Sequence, residues 1–209
     1  MIYDITPPLS NRLAVWPGDT PLSREILCDM KQGANLTLST FRATVHLGAH
    51  ADAPSHYGKD APAIHDRSLD LYLGRCQLIR LNVSRNRLIR PEDLQVPLTA
   101  QRLLLSTGTY PDHDRFNEDF AALEASAVEF LHERGVRLVG VDTPSVDLFD
   151  SKDLPAHHAF LRRDMAILEG LNLKEVPEGI YELIALPLRL EGFDASPVRA
   201  VLRTYNDPA

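Results

Sequence analysis

A chain of 209 residues that is 44% hydrophobic and 24% charged has the size and composition of one globular domain with a substantial core. Its net charge of −7 argues against a nucleic-acid binder or a protein of anionic membranes, since both need a basic surface. We find no signal peptide and no membrane-spanning run, and the separated Cys28 and Cys76 predict reduced thiols in a cytoplasmic protein, with a single disulfide as the alternative.

The first part of the chain alternates apolar and polar residues, which is typical of strands. We expect a short strand at 2–5 and further strands at 23–30 and 35–46. Between them lies VWPGDTP at 15–21, whose prolines hold their neighbours extended around a Gly-Asp turn. Trp16 therefore lies at the edge of a rigid loop, where it either fills the core or presents its ring to a flat aromatic ligand.

The next segment, HLGAHADAPSH, contains three of the eight histidines of the chain. Its candidate metal ligands are His46, His50, Asp52 and His56. They share one sequence parity, so an extended backbone directs them to the same side, whereas the glycine and proline argue against a helix. Imidazole and carboxylate groups suit zinc, manganese or another divalent first-row ion. The alternative is a hydrogen-bonded structural cluster, but the small intervening residues favour the metal site.

The rest of the chain predicts one α/β domain. Strands are expected at 76–82, 102–107, 136–141, 181–190 and 198–205. Helices are expected at 118–134 and, after Pro155, at 156–163, with short helical turns near 68–72 and 90–94. The strand–helix–strand order between 102 and 141 predicts a parallel crossover. With no repeat and no linker, residues 1–209 form a single domain, a mixed β-sheet with flanking helices.

A second group of potential ligands follows in the last third of the chain. His157 and His158 are adjacent, and Glu169 comes later along the chain. Paired histidines often cap helices, and a glutamate often lies at the surface. A metal centre with several ligands on one loop usually needs closure from elsewhere in the fold, so this group is a candidate to complete the site at 46–52.

Three segments resemble the cyclase-like metal hydrolases, and specifically the bacterial kynurenine formamidases. They are HLGAHADAPSH at 46–56, VWPGDTP at 15–21, and the stretch from AHH at 156–158 to ILEGL at 167–171. The resemblance therefore covers most of the chain. Ala49 departs from the family, in which threonine is frequent at this position, and this changes the hydrogen bonding around the site rather than the ligand set.

The resemblance implies a swivelling β/α/β fold and a site with two zinc ions per subunit. In that site His46, His50 and Asp52 hold the first ion, and Asp52 bridges to the second. His157 binds the second ion, and Glu169 contacts both. The family also forms homodimers, which the predicted elements permit.

The resemblance further implies hydrolysis of N-formyl-L-kynurenine to L-kynurenine and formate, a step of tryptophan catabolism. Metal-activated hydroxide would attack the formyl carbon, with unligated His56 as the acid/base and Trp16 against the ring of this small aromatic formamide. One alternative is a cyclic amide such as isatin, which the same chemistry opens. A non-catalytic zinc-binding domain is disfavoured because metal storage requires neither His56 nor Trp16. The chain contains no GxSxG motif of a serine hydrolase.

Overall fold

A nine-stranded mixed sheet forms the centre of the computed structural model, which describes residues 1–205. The strands are β1 Ile2–Asp4, β2 Ser23–Cys28, β3 Leu38–Arg42, β4 His50–Asp52, β5 Leu73–Arg80, β6 Leu88–Ile89, β7 Arg102–Ser106, β8 Ala122–Leu123, β9 Leu138–Val141, β10 Ala166–Glu169, β11 Gly179–Ile184, β12 Ala195–Pro197 and β13 Val201–Thr204. The α-helices are α1 Ala125–Glu133 and α2 Pro155–Arg162. Single 3₁₀ turns occur at Met30–Gln32, Pro54–His56, Ile64–Asp66, Leu69–Leu71 and Pro91–Leu94.

The strand order in the large sheet is β1-β13-β11-β5-β7-β9-β10-β4-β12. The central strands β5, β7, β9 and β10 are parallel, and the strands on either side are antiparallel. The parallel pairing of β7 with β9 confirms the predicted crossover through the first helix. Strands β2 and β3 form a separate hairpin, and β6 pairs with β8.

Side chains on the two faces of the central strands enter different hydrophobic clusters. In β7, Leu104 packs in one cluster, whereas Leu103 and Leu105 pack in the other with both α-helices. The first cluster also receives Leu202 from β13 and Ala51 from β4. Because those two strands lie near opposite ends of the sheet order, the sheet curls over this cluster. The predicted single α/β domain with a mixed sheet and flanking helices is confirmed.

The structure differs from the predicted elements at several boundaries. The helix expected at 118–134 begins only at Ala125, because Ala122–Leu123 pairs as a strand with Leu88–Ile89. The strand expected at 181–190 ends at Ile184, and Ala195–Pro197 forms a strand that the sequence did not predict. A proline is accepted there because β12 is an edge strand. In the described part of the chain, neither α-helix has the length and apolar character needed to cross a membrane.

Candidate metal centre

Strand β4 carries two of the predicted ligands between two neighbouring strands. His50 and Asp52 point to one side of β4, while Ala51 between them packs in the core on the other side. Strand β10 pairs with β4 in a register that sets Glu169 opposite His50. The antiparallel pairing therefore brings residues more than one hundred positions apart into contact.

Two glycines allow this close approach of backbones. Gly170 has a φ of +65°, and a Cβ there would lie 2.2 Å from the carbonyl oxygen of Gly48. Gly48 has a φ of +58°, and a Cβ there would contact the side chains of Leu9, Leu13 and Pro7. Gly170 requires glycine for space as well as for conformation, whereas Gly48 requires it for its left-handed conformation. The pair thus fixes the approach of the segment before β4 to the end of β10.

Helix α2 supplies His157 from the opposite side of the site. The Asp147 carboxylate accepts hydrogen bonds from the backbone N–H groups of Ala156 and His157 at 3.0 Å, which caps the first turn of the helix. The same carboxylate accepts a bond from Nδ1 of His157 at 2.7 Å. Nδ1 therefore carries a proton, and Nε2 is the ring nitrogen that faces the site. The neighbouring His158 is exposed.

Five side chains converge between β4, β10 and α2. Asp52 Oδ1 lies 3.1 Å from Nδ1 of His46 and 3.4 Å from Nε2 of His50. Asp52 Oδ2 lies 3.5 Å from Nε2 of His157, and Glu169 Oε2 lies 3.3 Å from Nε2 of His50. Ligands bound to one tetrahedral ion at about 2.0–2.1 Å are separated by about 3.3 Å. The observed separations therefore match the edges of a coordination sphere.

The polar atoms left without partners also fit a divalent ion. Within residues 1–205, His50 Nε2 and both Asp52 oxygens are buried and make no hydrogen bond. Each such orphaned group costs about 1–3 kcal/mol unless a ligand satisfies it. There are two sets of three donor atoms, and within each set the atoms lie within 4.8 Å of one another. One set comes from His46, Asp52 and His56, the other from His50, Asp52 and Glu169. Asp52 belongs to both, as a bridging ligand would.

The electrostatics of the cluster favour positive charge at its centre. Burial opposes protonation of all three ligand-set histidines, but the carboxylates close to each ring outweigh it. They raise the pKa of His46 to about 9, and the pKa values of His50 and His157 to about 10. Burial alone would raise the pKa of Asp52, but the three imidazoles hold that pKa well below its usual range. A divalent ion can replace these protons as the source of positive charge.

His56 lies beside the cluster on the Pro54–His56 turn. Its ring centroid is 4.2 Å from that of His46, and its side chain is 35% exposed. Burial lowers the pKa of His56, in contrast to the other three imidazoles. Its Nδ1 is 3.4 Å from Oδ2 of Asp194, a carboxylate that also accepts a 2.9 Å hydrogen bond from Nε2 of His46. This distance from the cluster is compatible with His56 as a metal ligand and with His56 as an unligated acid/base.

A cavity of about 480 Å³ opens from the cluster toward Trp16. The Trp16 ring packs tilted on Phe149 at 5.0 Å between centroids and edge-on against Phe116 at 5.5 Å. Trp16 is half-buried, so it packs in an aromatic cluster and also lines the cavity. Leu154 and His113 complete other parts of the wall. The cavity can hold a flat aromatic molecule beside the candidate ligands.

Sequence reasoning missed the residues that orient the histidines. Asp147 and Asp194 lie outside the ligand motif and contact its histidines only in the folded chain. The only indication in the sequence is that both residues are carboxylates, since metal-ligating histidines commonly bond a carboxylate through the distal nitrogen. Phe116 and Phe149, which support Trp16, carried no local pattern that distinguishes them from core residues.

Comparisons with known proteins show the family of this chain. The family model named Cyclase matches residues 3–148. Kynurenine formamidase of Bordetella petrii is 45% identical over 204 residues, which cover 97% of both chains. The predicted metal-dependent hydrolase from Bacillus stearothermophilus has a TM-score of 0.81 at 29% identity and covers 97% of both chains.

Isatin hydrolase A from Ralstonia solanacearum has a TM-score of 0.81 at 23% identity, covering 97% of this chain and 91% of that protein. At this identity the similarity shows a shared fold alone. The family model and the Bordetella petrii relative each span most of this chain. The chain therefore belongs to the Cyclase family of hydrolases.

Proposed function

We propose that this protein is a zinc-dependent kynurenine formamidase, which hydrolyses N-formyl-L-kynurenine to L-kynurenine and formate. The observation that carries the proposal is the convergence of nitrogen and oxygen donors at the base of an aromatic cavity. The 45% identity to a kynurenine formamidase over nearly the whole chain supports the choice of substrate. The proposed reaction is a step of tryptophan catabolism.

We assign two zinc ions to the buried cluster. His46, His50 and Asp52 would hold one ion, Asp52 and His157 the other, and Glu169 would contact both. The hydrogen bonds to the distal nitrogens leave Nδ1 of His46 and Nε2 of His50 and His157 as the donor atoms. Bound zinc supplies a Lewis acid and lowers the pKa of water to about 7. Val146 N–H donates to Oε1 of Glu169 at 2.8 Å, which orients that carboxylate.

His56 would move the protons of the reaction. Hydrolysis adds oxygen to the formyl carbon and a proton to the arylamine nitrogen as the C–N bond breaks. A neutral arylamine leaves far more readily than its anion, so proton delivery to this nitrogen decides the rate. Burial lowers the pKa of His56 below its ordinary value near 6.5, so the ring is neutral at pH 7 and can first accept a proton from water.

The function is tested on metal-stripped protein. We expect formylkynurenine hydrolysis to fall to background after chelation and to return when zinc is added. Parallel assays with isatin address the cyclic-amide alternative, and we expect a much lower kcat/KM for isatin. A protein that binds zinc yet hydrolyses neither compound would contradict the proposal and favour a non-catalytic zinc-binding domain.

Trp16 would bind the aromatic ring of the substrate. Replacing it by alanine removes one wall of the cavity, so we expect Trp16→Ala to raise KM by about tenfold, the size of one aromatic contact. The metal content should not change, because Trp16 is not in the donor cluster. Trp16→Phe is the matched control and should retain most of the affinity. An unchanged KM in the alanine variant would exclude Trp16 from substrate binding.

The β2–β3 hairpin supports a homodimer. Every residue of both strands is exposed, and apolar side chains are among them: Phe41 is 70% and Ile26 50% accessible. An exposed apolar hairpin is typical of an interaction surface, and a second copy of the chain would cover it. We propose that the enzyme acts as this homodimer in the cytoplasm.

The dimer proposal predicts the effect of removing one hairpin side chain. Phe41→Ser should shift the mass measured by light scattering from dimer toward monomer at micromolar concentration. The control is Leu69→Ser, which removes an exposed leucine outside the hairpin and should leave the mass unchanged. A dimer of equal stability in both variants would place the interface elsewhere.

A further inference from the structure

One carboxylate outside every ligand motif contacts two histidines of the site. Oδ2 of Asp194 accepts a 2.9 Å hydrogen bond from Nε2 of His46 and lies 3.4 Å from Nδ1 of His56. An aspartate with an ordinary pKa near 3.9 is a carboxylate at neutral pH. A carboxylate accepts hydrogen bonds only, so Nε2 of His46 must carry the proton, and the same negative charge beside Nδ1 of His56 favours a proton on that nitrogen.

The backbone fixes Asp194 at this place. Its carbonyl oxygen accepts a 2.8 Å hydrogen bond from the N–H of Ala53. The following residue, Ala195, pairs with Asp52 in the β12–β4 ladder. Asp194 is therefore anchored on the same two residues that connect β4 with the His56 turn. A backbone held at this place presents the carboxylate to both rings and can set their geometry.

We propose that Asp194 is a positioning residue that fixes the tautomers of both rings at once. The inference rests on the proposed function for the roles of His46 and His56. With a proton on Nε2, His46 presents Nδ1 to the metal centre beside Asp52. With a proton on Nδ1, His56 keeps Nε2 as the nitrogen that exchanges protons with water and the leaving group. Oδ2 of Asp194 thus keeps His46, the proposed ligand, and His56, the proposed acid/base, at a fixed distance from each other.

The test compares Asp194→Ala with Glu191→Gln, which removes an exposed negative charge from the same loop. We expect Asp194→Ala to bind zinc about 10–100-fold more weakly in competition with a chromogenic chelator. Its kcat for formylkynurenine should fall about 100-fold, with KM changed less than threefold. Glu191→Gln should match the wild type in all three measurements. Asp194→Asn keeps an acceptor oxygen without the charge, so its kcat should lie between those of Asp194→Ala and Glu191→Gln.

A spectroscopic readout separates this inference from the substrate assignment. In the zinc-loaded wild type, ring ¹⁵N shifts should show His46 protonated at Nε2 and His56 at Nδ1. Both patterns should be lost in Asp194→Ala. If the wild type fails to hydrolyse formylkynurenine, the proposed substrate is wrong, while the ring shifts and zinc competition still test Asp194. Unchanged shifts for both rings, or a kcat within threefold of Glu191→Gln, overturn the proposal. If the alanine variant does not fold, the kcat of Asp194→Asn decides by the same threshold.

Discussion

Asp52→Ala should remove most of the bound zinc and reduce formylkynurenine hydrolysis to background. The Asp52 side chain is fully buried, and its two oxygens lie within 3.5 Å of nitrogens on three histidines. No other side chain belongs to both donor sets found in residues 1–205. Removing this carboxylate leaves three imidazoles without their shared negative partner, so we expect the affinity for zinc to fall by more than 100-fold.

Elemental analysis after dialysis measures the bound zinc, and circular dichroism establishes that each variant is folded. Asp150→Ala is the matched control, because it removes an exposed carboxylate at the surface. Asp52→Asn preserves the size of the side chain and covers the case in which the alanine variant does not fold. Two equivalents of zinc retained by folded Asp52→Asn would contradict a bridging role for this residue.

His56→Ala should keep its zinc and lose most of its rate. A positioned acid/base contributes about 10²–10⁴-fold, so kcat should fall within that range. The side chain is partly exposed in the cavity, its Nδ1 lies 3.4 Å from Oδ2 of Asp194, and burial lowers its pKa. These features separate it from the buried imidazoles whose pKa values are raised.

The measurement pairs zinc analysis with kcat. His158→Ala is the control, since it removes an exposed histidine next to a proposed ligand. Loss of zinc together with rate would make His56 a ligand, as its membership of a three-residue donor set permits. Near-native turnover in His56→Ala would assign the proton transfer to another group.

The candidate site was predictable where the local backbone is regular. The parity rule holds for His50 and Asp52, because both lie on the short strand β4. It does not explain His46, which precedes the left-handed turn at Gly48, or His56, which follows the turn at Pro54. Those two rings reach the cluster through turns whose shape depends on tertiary contacts.

Long-range pairing accounts for what the sequence did not reveal. Glu169 reaches His50 through the register of two strands, and Asp194 reaches His46 through an edge strand that ends in a proline. The short helix α1 illustrates the same limit, since Leu123 satisfies a helical apolar pattern but pairs as a strand with Ile89. Periodicity reports which face is apolar, whereas the fold decides which neighbour covers that face.

The two halves of the proposed ligand set belong to different structural layers: β4 and β10 to the sheet, and His157 to a helix packed over it. An ion bound between them would cross-link these layers, and its binding energy would add to the free energy of unfolding. Free metal at 100 times the dissociation constant adds about 2.7 kcal/mol. The cellular supply of metal would therefore govern the lifetime of the protein against proteolysis as well as its catalytic rate.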